Sequence, residues 1–438
     1  MERLRVTPFR RLEDGYLVLP VKILMIAPQP FFKRRGTPLS ILGRLTALST
    51  LGHQVDLLTY HLGETIHKPN VVISRIRRVP FIREVPIGPS IRKLFLDLLV
   101  CIKAFGMLTR NRYDMIHSHE EGSFFGVALA RHFGIPHLYD MHSSLPEQLS
   151  NCDYSRFPPI IRVFEWLERR VINGSQVIIA ICPSLVERVT RINPRIPCLL
   201  IENIPLEGDP GTVLDAEISR FRVAHSLSGR RIILYAGTFE RYQGLDILIE
   251  GAAHVLRAHR DAFFLLMGGT DAQMRHYQRR VDDLGLGTHF RFTGLRPATE
   301  MPVALRCADI LVSPRIQGTN TPSKIFEYLR AGRPIVATNI EAHTQIVTSE
   351  VAVLVEPRAA ALANGILFLL ENPGSALNLA ARARSLYDRH YSLQTFIDKT
   401  EQALRLATLE NTVVVAPSTI PASPKTDGSQ AAPDSDIH

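Results

Sequence analysis

Along the chain, short runs dominated by Val, Ile and Leu alternate with longer stretches whose apolar residues recur every three or four positions. The runs predict strands at 22–27, 54–59, 115–118, 137–141, 177–181 and 198–202. Helical patterns fall between them, for instance at 37–51 and 124–133. A polar stretch follows to about residue 230, and the alternation restarts with strands at 231–236, 262–267, 289–293, 310–313, 335–337 and 352–355. Strands that read as unbroken apolar runs are buried on both faces, which is characteristic of parallel sheets covered by helices. The pattern therefore predicts two doubly wound α/β domains, at 21–205 and 231–392, facing each other across a cleft. Residues 1–20 form an extension, 206–230 a linker, and 393–408 a last helix. Residues 409–438, rich in Pro, Ser, Ala, Thr and Asp, are expected to be disordered. In such sheets ligands lie beyond the carboxyl ends of the strands, so the cleft is the expected site.

Composition narrows the partners. The 438 residues are 45% hydrophobic and 21% charged, as in a soluble globular protein, and carry a formal net charge of +9. That excess favours anionic partners: nucleotides, diphosphates or acidic membrane surfaces. No aromatic or helix-turn-helix module supports nucleic acid. The five cysteines (Cys101, Cys152, Cys182, Cys198 and Cys307) are scattered, which suggests neither a zinc site nor a disulfide framework. Reduced thiols in a cytoplasmic protein are expected. The apolar run at 21–27 is too short and interrupted for a signal peptide, and the run at 94–108 contains Asp97 and Lys103, so no segment is read as spanning a bilayer. The absence of a P-loop, of GxGxxG after the first strand and of GxSxG argues against an ATPase, a dehydrogenase and a serine hydrolase.

The polar residues at predicted strand ends form a ring of candidates. In Thr319-Asn-Thr-Pro-Ser-Lys-Ile-Phe-Glu327, Thr321 is expected to cap a helix with Pro322 at its first position. Ser323 and Lys324 then occupy a first turn whose free N–H groups suit an anion, and Glu327 lies one turn on, where it can accept hydrogen bonds from sugar hydroxyls. After the first strand, Gly36 and Thr37 follow the basic residues Lys33-Arg34-Arg35, with Gly36 permitting a close backbone approach. His117, His119 and Glu120, with Asp140 and His142, lie at strand ends of the first domain. His117 and His119 are read as pointing to opposite faces of their strand, one of them packed. Their spacing matches no metal motif, so they are read as hydrogen-bonded histidines and no metal is expected. In the second domain, Gly237, Thr238, Arg241 and Gln243 precede a helix starting near Leu245, and Gly294 with Leu295 follows a strand where backbone groups would read a nucleobase edge.

Taken together, Gly237-Thr-Phe-Glu-Arg-Tyr-Gln-Gly244, Pro322-Ser-Lys-Ile-Phe-Glu-Tyr-Leu329 and Asp140-Met-His-Ser-Ser-Leu-Pro146 resemble retaining glycosyltransferases of family 4 over about residues 21–408. The resemblance implies the GT-B fold of two Rossmann-like domains, and transfer of a sugar from a nucleotide-diphosphate donor with retained anomeric configuration. It implies no metal, no nicotinamide and no other cofactor. It implies that Glu327 binds the ribose, Ser323 and Lys324 the donor phosphates, His142 the donor sugar and Gly36 the diphosphate, and that the last helix crosses back onto the first domain. Three positions depart from the family pattern. Thr319 stands where many members carry the first Glu of an E-x7-E motif, and Thr238 and Gln243 stand where many carry an Arg and a Lys. Arg241 and Lys324 are the expected compensating cations.

The acceptor side is assigned to His119 and Glu120. Residues 75–112 are rich in arginine and carry an apolar stripe of Leu94, Phe95, Leu98, Leu99, Ile102 and Phe105. Two readings stand: a surface that touches an anionic membrane at its inner face, reaching a lipid-linked acceptor, or a helix that covers the first sheet. The function expected is a metal-independent hexosyltransferase acting on a glycan or lipid-linked acceptor of cell-surface polysaccharide or glycolipid synthesis. The alternatives are a non-catalytic protein that binds nucleotide sugar or glycan, and an epimerase of the same fold.

Overall fold

The computed structural model describes residues 10–11, 17–18, 20–32, 36–85, 90–146, 158–206 and 208–408. It contains two parallel sheets with helices on both faces. In the first domain, seven strands lie in the order Val71–Arg75, Gln54–Thr59, Lys22–Ile26, Met115–His119, His137–Met141, Val177–Ala180, Cys198–Leu200. In the second, six strands lie in the order Phe290–Gly294, Ala262–Met267, Arg231–Ala236, Ile310–Ser313, Ile335–Thr338, Val353–Val355. Every pairing within these two sheets is parallel. In each sheet the first strand in sequence sits inside, and the winding reverses beside it. The two reversal points lie between Lys22–Ile26 and Met115–His119, and between Arg231–Ala236 and Ile310–Ser313. Such points open a crevice at the carboxyl edge of a sheet.

The central strands are largely apolar because both their faces are covered. Ile23, Leu24, Met25 and Ile26 are all fully buried, as are Ile232 to Tyr235. The edge strand Val71–Arg75 is only half covered and Val72 is exposed. It was not predicted, because an edge strand lacks the long apolar run that marks the others.

One segment changes the domain picture. Within the stretch read as a linker, the helix Asp215–Ala224 buries Phe221, which joins Leu227 in the core of the second domain. The terminal helix Leu393–Thr408 returns to the first domain, where Phe396, Ile397, Ala403, Leu404 and Ala407 pack against Ile23, Ile41, Leu45 and Val177. In the extension, Arg10–Arg11 pairs antiparallel with Leu17–Val18. The tail at 409–438 lies outside the described residues.

On the helix Ile91–Arg110, Leu96, Val100, Ala104 and Leu108 face the core at four-residue spacing. The stripe read from the sequence points elsewhere. Leu94, Phe95, Leu98, Ile102 and Phe105 remain between 45% and 64% exposed, so they do not cover the sheet. Truncating Phe396 to Ala should cost about 3–5 kcal/mol through the cavity left in the first domain. A shift in the urea midpoint of the full chain measures this, and an unchanged midpoint would mean that the terminal helix contributes nothing to that domain.

Candidate functional site

The first domain's half of the site is built on a buried ion pair. Arg44, on the helix Gly36–Thr50, is 2% exposed; its Nε donates to Asp140 Oδ2 at 2.9 Å and its Nη1 to Thr400 Oγ1 at 2.6 Å. The guanidinium also lies 4.9 Å from the Phe396 ring centroid. Three histidines gather on the same carboxylate: His117 Nε2 at 3.3 Å, His119 Nδ1 at 3.8 Å and His142 Nε2 at 3.4 Å. His119 Nδ1 and His142 Nε2 share a hydrogen bond of 2.9 Å. Burial pushes the Asp140 carboxyl up, but Arg44 and the histidines together hold it well below the usual carboxylate range. Burial lowers the pKa of all three histidines, His119 most strongly, against the pull of Asp140. At neutral pH the cluster is thus one carboxylate, one guanidinium and three neutral imidazoles.

His117 and His119 do not point to opposite faces. Residues two apart on a strand share a face, and their rings stack with centroids 4.8 Å apart. His117, His119 and Asp140 bring ligand atoms within 4.8 Å of one another, as a metal site would. Arg44 already occupies that carboxylate, and a divalent cation beside a fixed guanidinium is electrostatically unfavourable. The trio is a hydrogen-bonded cluster built on the Arg44–Asp140 ion pair.

Glu120 turns the chain out of the strand in a left-handed conformation, φ +47°, unusual for a residue with a side chain. Its carboxylate accepts from Ser143 Oγ at 3.0 Å. Burial, with the neighbouring Glu121, pushes its pKa up to about 7.

The second domain's half lies at its own reversal point. Lys324 Nζ donates to Gln243 Oε1 at 2.9 Å and stands 4.0 Å above the Tyr235 ring. Gln243 Nε2 reaches Thr238 Oγ1 at 3.5 Å. Gly237, at φ +151°, leaves the space this lysine needs: a Cβ there would lie 2.7 Å from Nζ. Burial, and then the charge of Arg315, push the Lys324 pKa well below its usual value; Glu327 acts against them. Gly244 lets two loops meet, because a Cβ there would lie 1.9 Å from the Pro314 carbonyl oxygen.

Asn320 joins the halves. Its Nδ2 donates to the His142 carbonyl at 3.4 Å, and its Oδ1 accepts from Cys182 Sγ at 3.7 Å. Nearby, the Ser184 amide donates to Gln345 Oε1 at 3.1 Å. The structure therefore brings His119, Glu120 and His142 opposite Thr238, Gln243, Asn320 and Lys324.

The expected start of the helix needs correction, and the remaining candidates lie as follows. The helix starts at Lys324, later than expected, with Ser323 at its cap. Thr321 does not cap it: its buried Oγ1 has no hydrogen-bond partner. The carbonyls of Pro322 and Ser323 already accept from Ile325 and Phe326 in a tight turn, so Pro322 precedes the helix rather than opening it. Lys324 points inward, not to solvent. Arg241 is exposed. Gly294 and Leu295 end an edge strand two strands from the reversal point; the Gly294 carbonyl accepts from Gly268 N, and Leu295 is 81% exposed. Gly36, at φ +40°, opens its helix into free space, with Thr37 half-buried behind it. Lys33, Arg34 and Arg35 lie outside the described residues. Thr319 is exposed at the rim.

Sequence reasoning missed Arg44 and Arg315. Arg44 sits in an otherwise apolar helical pattern, and an arginine on a buried face must have a partner. That was the available signal for it.

Two family models match this chain: the glycosyl transferase 4-like domain over residues 40–203 and glycosyl transferases group 1 over 230–372, together more than half of the 438 residues. The chain belongs to the group 1, family 4 glycosyltransferases. Among its relatives is the alpha-D-kanosaminyltransferase of Streptomyces kanamyceticus, 24% identical, with 69% of this chain and 80% of the relative aligned. The phosphatidyl-myo-inositol mannosyltransferase of Mycobacterium leprae is also 24% identical, over 80% of this chain and 88% of the relative. The crystal structure of Anabaena Alr3699/HepE in complex with UDP superposes with a TM-score of 0.68 at 19% identity, covering 87% of this chain and 99% of that one. This likeness extends over both domains.

Replacing Arg44 with Met should destabilise the protein by about 3–5 kcal/mol, because the buried Asp140 loses the charge that compensates it. Adding Asp140→Asn should recover part of that loss, which chemical denaturation of the single and double variants measures. Stability should also fall in acid. Burial holds His53 and His343 at about 4 and His137 at about 3, and lowers His117, His119 and His142. Unfolding frees each imidazole to bind a proton from about pH 6.5 downward. Their contribution is complete above that pH and is lost as the pH drops toward the folded values. Asp97 and Glu120, both raised to about 7, act in the opposite sense but are outnumbered. Urea midpoints should be near level between pH 8 and 7 and fall between 6.5 and 5.

Proposed function

We propose that this glycosyltransferase moves a sugar from a nucleoside diphosphate donor to a hydroxyl of a glycan or lipid-linked acceptor, retaining the anomeric configuration and using no metal. The observation that carries this reading is the buried Lys324, held by Gln243 at the start of a helix, four residues after the Asn320 whose side chain reaches the His142 carbonyl. A desolvated ammonium without full compensation favours an anion beside it, and a diphosphate leaving group needs such a charge as its bond breaks. Glu327, one turn along, takes the ribose hydroxyls. In the reaction the bond between the anomeric carbon and the phosphate oxygen breaks. The acceptor oxygen bonds to the same carbon, and its proton passes to the departing diphosphate. His142 and His119, neutral and ordered by Asp140, contact the donor sugar and the acceptor side, with Glu120 beside them. The UDP bound by Alr3699/HepE supports a nucleotide donor, and a mannosyltransferase named for a phosphatidyl-inositol acceptor supports a lipid-linked one. Cell-surface polysaccharide or glycolipid synthesis is the matching role.

A titration of UDP-, GDP-, ADP- and dTDP-sugars tests the donor site. One base series should bind saturably. Glu327→Ala should weaken it about tenfold or more, and Lys324→Ala by about 10- to 100-fold, from loss of hydrogen bonds involving charged groups. If no nucleotide binds, the donor reading is wrong. Binding without consumption of donor, with acceptors supplied, would favour the non-catalytic alternative suggested by Thr238, Gln243 and Thr319; conversion of donor alone to an epimer would favour the epimerase.

No helix among the described residues is long and apolar enough to cross a membrane. We read the exposed face of Ile91–Arg110 as a peripheral contact for an anionic bilayer. Leu94, Leu98 and Ile102 would enter the interface, while the exposed Arg77, Arg78, Arg83, Arg92 and Arg110 meet headgroups. Arg75 is not among these, since it is committed to the carbonyls of Phe31 and Glu64. Vesicles containing phosphatidylglycerol should sediment the wild type. Leu98→Gln with Ile102→Gln should abolish this without changing nucleotide binding; sedimentation unchanged by that pair would remove this face from consideration.

A further inference from the structure

Where the family resemblance places an Arg and a Lys in the loop after Arg231–Ala236, this chain has Thr238 and Gln243, and the Arg241 of that loop is exposed. The diphosphate site thus lacks a second cation from its expected source. Arg315 lies on the other side of the same reversal point, two residues after Ile310–Ser313.

Its setting is fixed in detail. Nε donates to the Gln317 carbonyl at 2.8 Å and Nη1 to the Asn320 carbonyl at 3.0 Å. The guanidinium lies 5.2 Å from the Tyr242 ring centroid. The Ile316 amide donates to the Tyr242 carbonyl at 2.9 Å, which ties the Arg315 loop to the Gln243 loop. The backbone carbonyl of Arg315 accepts from Thr338 Oγ1. Nη2 makes no hydrogen bond among the described residues.

Around these groups the charge is one-sided. Burial lowers the pKa of Lys324 and of His343, and the nearby charge of Arg315 lowers both further, with Lys324 adding to the effect on His343. Glu327 is the acidic group that acts on Lys324. Bringing two cations together in a desolvated place costs stability, and an anion shared between them reverses that cost. A guanidinium anchored by its Nε edge, with Nη2 left over, is suited to a phosphate oxygen.

We infer that Arg315 supplies, with Lys324, the second positive charge on the donor's diphosphate, in place of the cations absent from positions 238 and 243. This rests on the donor-site reading proposed above. In the reaction Arg315 stabilises the charge that accumulates on the departing diphosphate.

The test uses the full chain with UDP, GDP, ADP and dTDP, each beside its own nucleoside, against wild type, Arg315→Gln and Arg315→Lys. Thermal unfolding establishes that each variant is folded. Arg315→Gln should weaken the binding diphosphate by about 10- to 100-fold, and the nucleoside less than threefold. Arg315→Lys keeps the charge but loses the carbonyl bonds, and should recover most of the diphosphate affinity. If wild type binds no diphosphate, the donor site itself is wrong. If wild type binds and Arg315→Gln binds equally well, the donor site stands and the inference about Arg315 falls. Equal losses for diphosphate and nucleoside, or a Lys variant as weak as the Gln variant, would reduce Arg315 to a loop scaffold and also overturn it. Should Arg315→Gln not fold, the Lys variant decides alone: it must retain a diphosphate-over-nucleoside preference within tenfold of wild type.

Discussion

The buried pair of Arg44 and Asp140 is the interaction on which the first domain's half of the site depends. It joins three separate elements: the helix Gly36–Thr50, the strand His137–Met141 and, through Thr400 and Phe396, the terminal helix. Its value is not chiefly stability, since a buried ion pair often does no better than apolar residues of the same shape. What it supplies is a defined charge state. An ionised Asp140, held so by the guanidinium, orients His117, His119 and His142 while burial keeps them neutral. Without Arg44 the carboxylate would take up a proton or draw one onto a histidine, and the edge of the cleft would change its hydrogen-bonding character.

The two halves of the cleft carry opposite electrostatic designs. In the first domain, charge is balanced internally: one carboxylate against one guanidinium, with neutral rings around them. In the second, Arg315 and Lys324 leave an excess of positive charge at the reversal point of the sheet. The amides of Asn320 and Gln345 make the contacts between the halves. These are neutral groups, so the domains meet without an ion pair at those contacts. On the donor reading proposed above, the diphosphate would be held by the second domain and the sugar end would be met by imidazoles.

Much of the fold was legible in the sequence for a physical reason. A strand covered on both faces is mostly apolar, and the runs read at 54–59, 137–141, 231–236, 262–267 and 310–313 coincide with the strands observed. Legibility failed where burial was partial or a partner distant. Val71–Arg75 was overlooked as an edge strand, and the helix Asp215–Ala224 was hidden in a polar stretch because only Phe221 is fully committed to the core. Lys324, His142 and Gln243 were found from local motif spacing, and the structure brings them to one cleft. Arg44 and Arg315 were not, because the meaning of an arginine depends on groups remote in sequence: Asp140 is 96 residues from Arg44. Thr321 was misread for the converse reason. A local capping rule was applied where a tight turn had already satisfied the amides.

The return of Leu393–Thr408 to the first domain has a consequence for how the chain is made. Phe396, Ile397, Leu404 and Ala407 share a core with Ile23 and Ile41, at the other end of the sequence. Domains built from contiguous segments complete themselves in order of synthesis, the first to emerge folding first. Here that order is inverted. The second domain, with its core drawn from residues between Phe221 and Tyr391, has all its parts before the terminal helix leaves the ribosome. The first domain must wait with Phe396's place open and Arg44 lacking Thr400 until the terminal helix has been made. Through that interval the older half of a nascent chain is incomplete, and that half is where a chaperone would find exposed apolar surface.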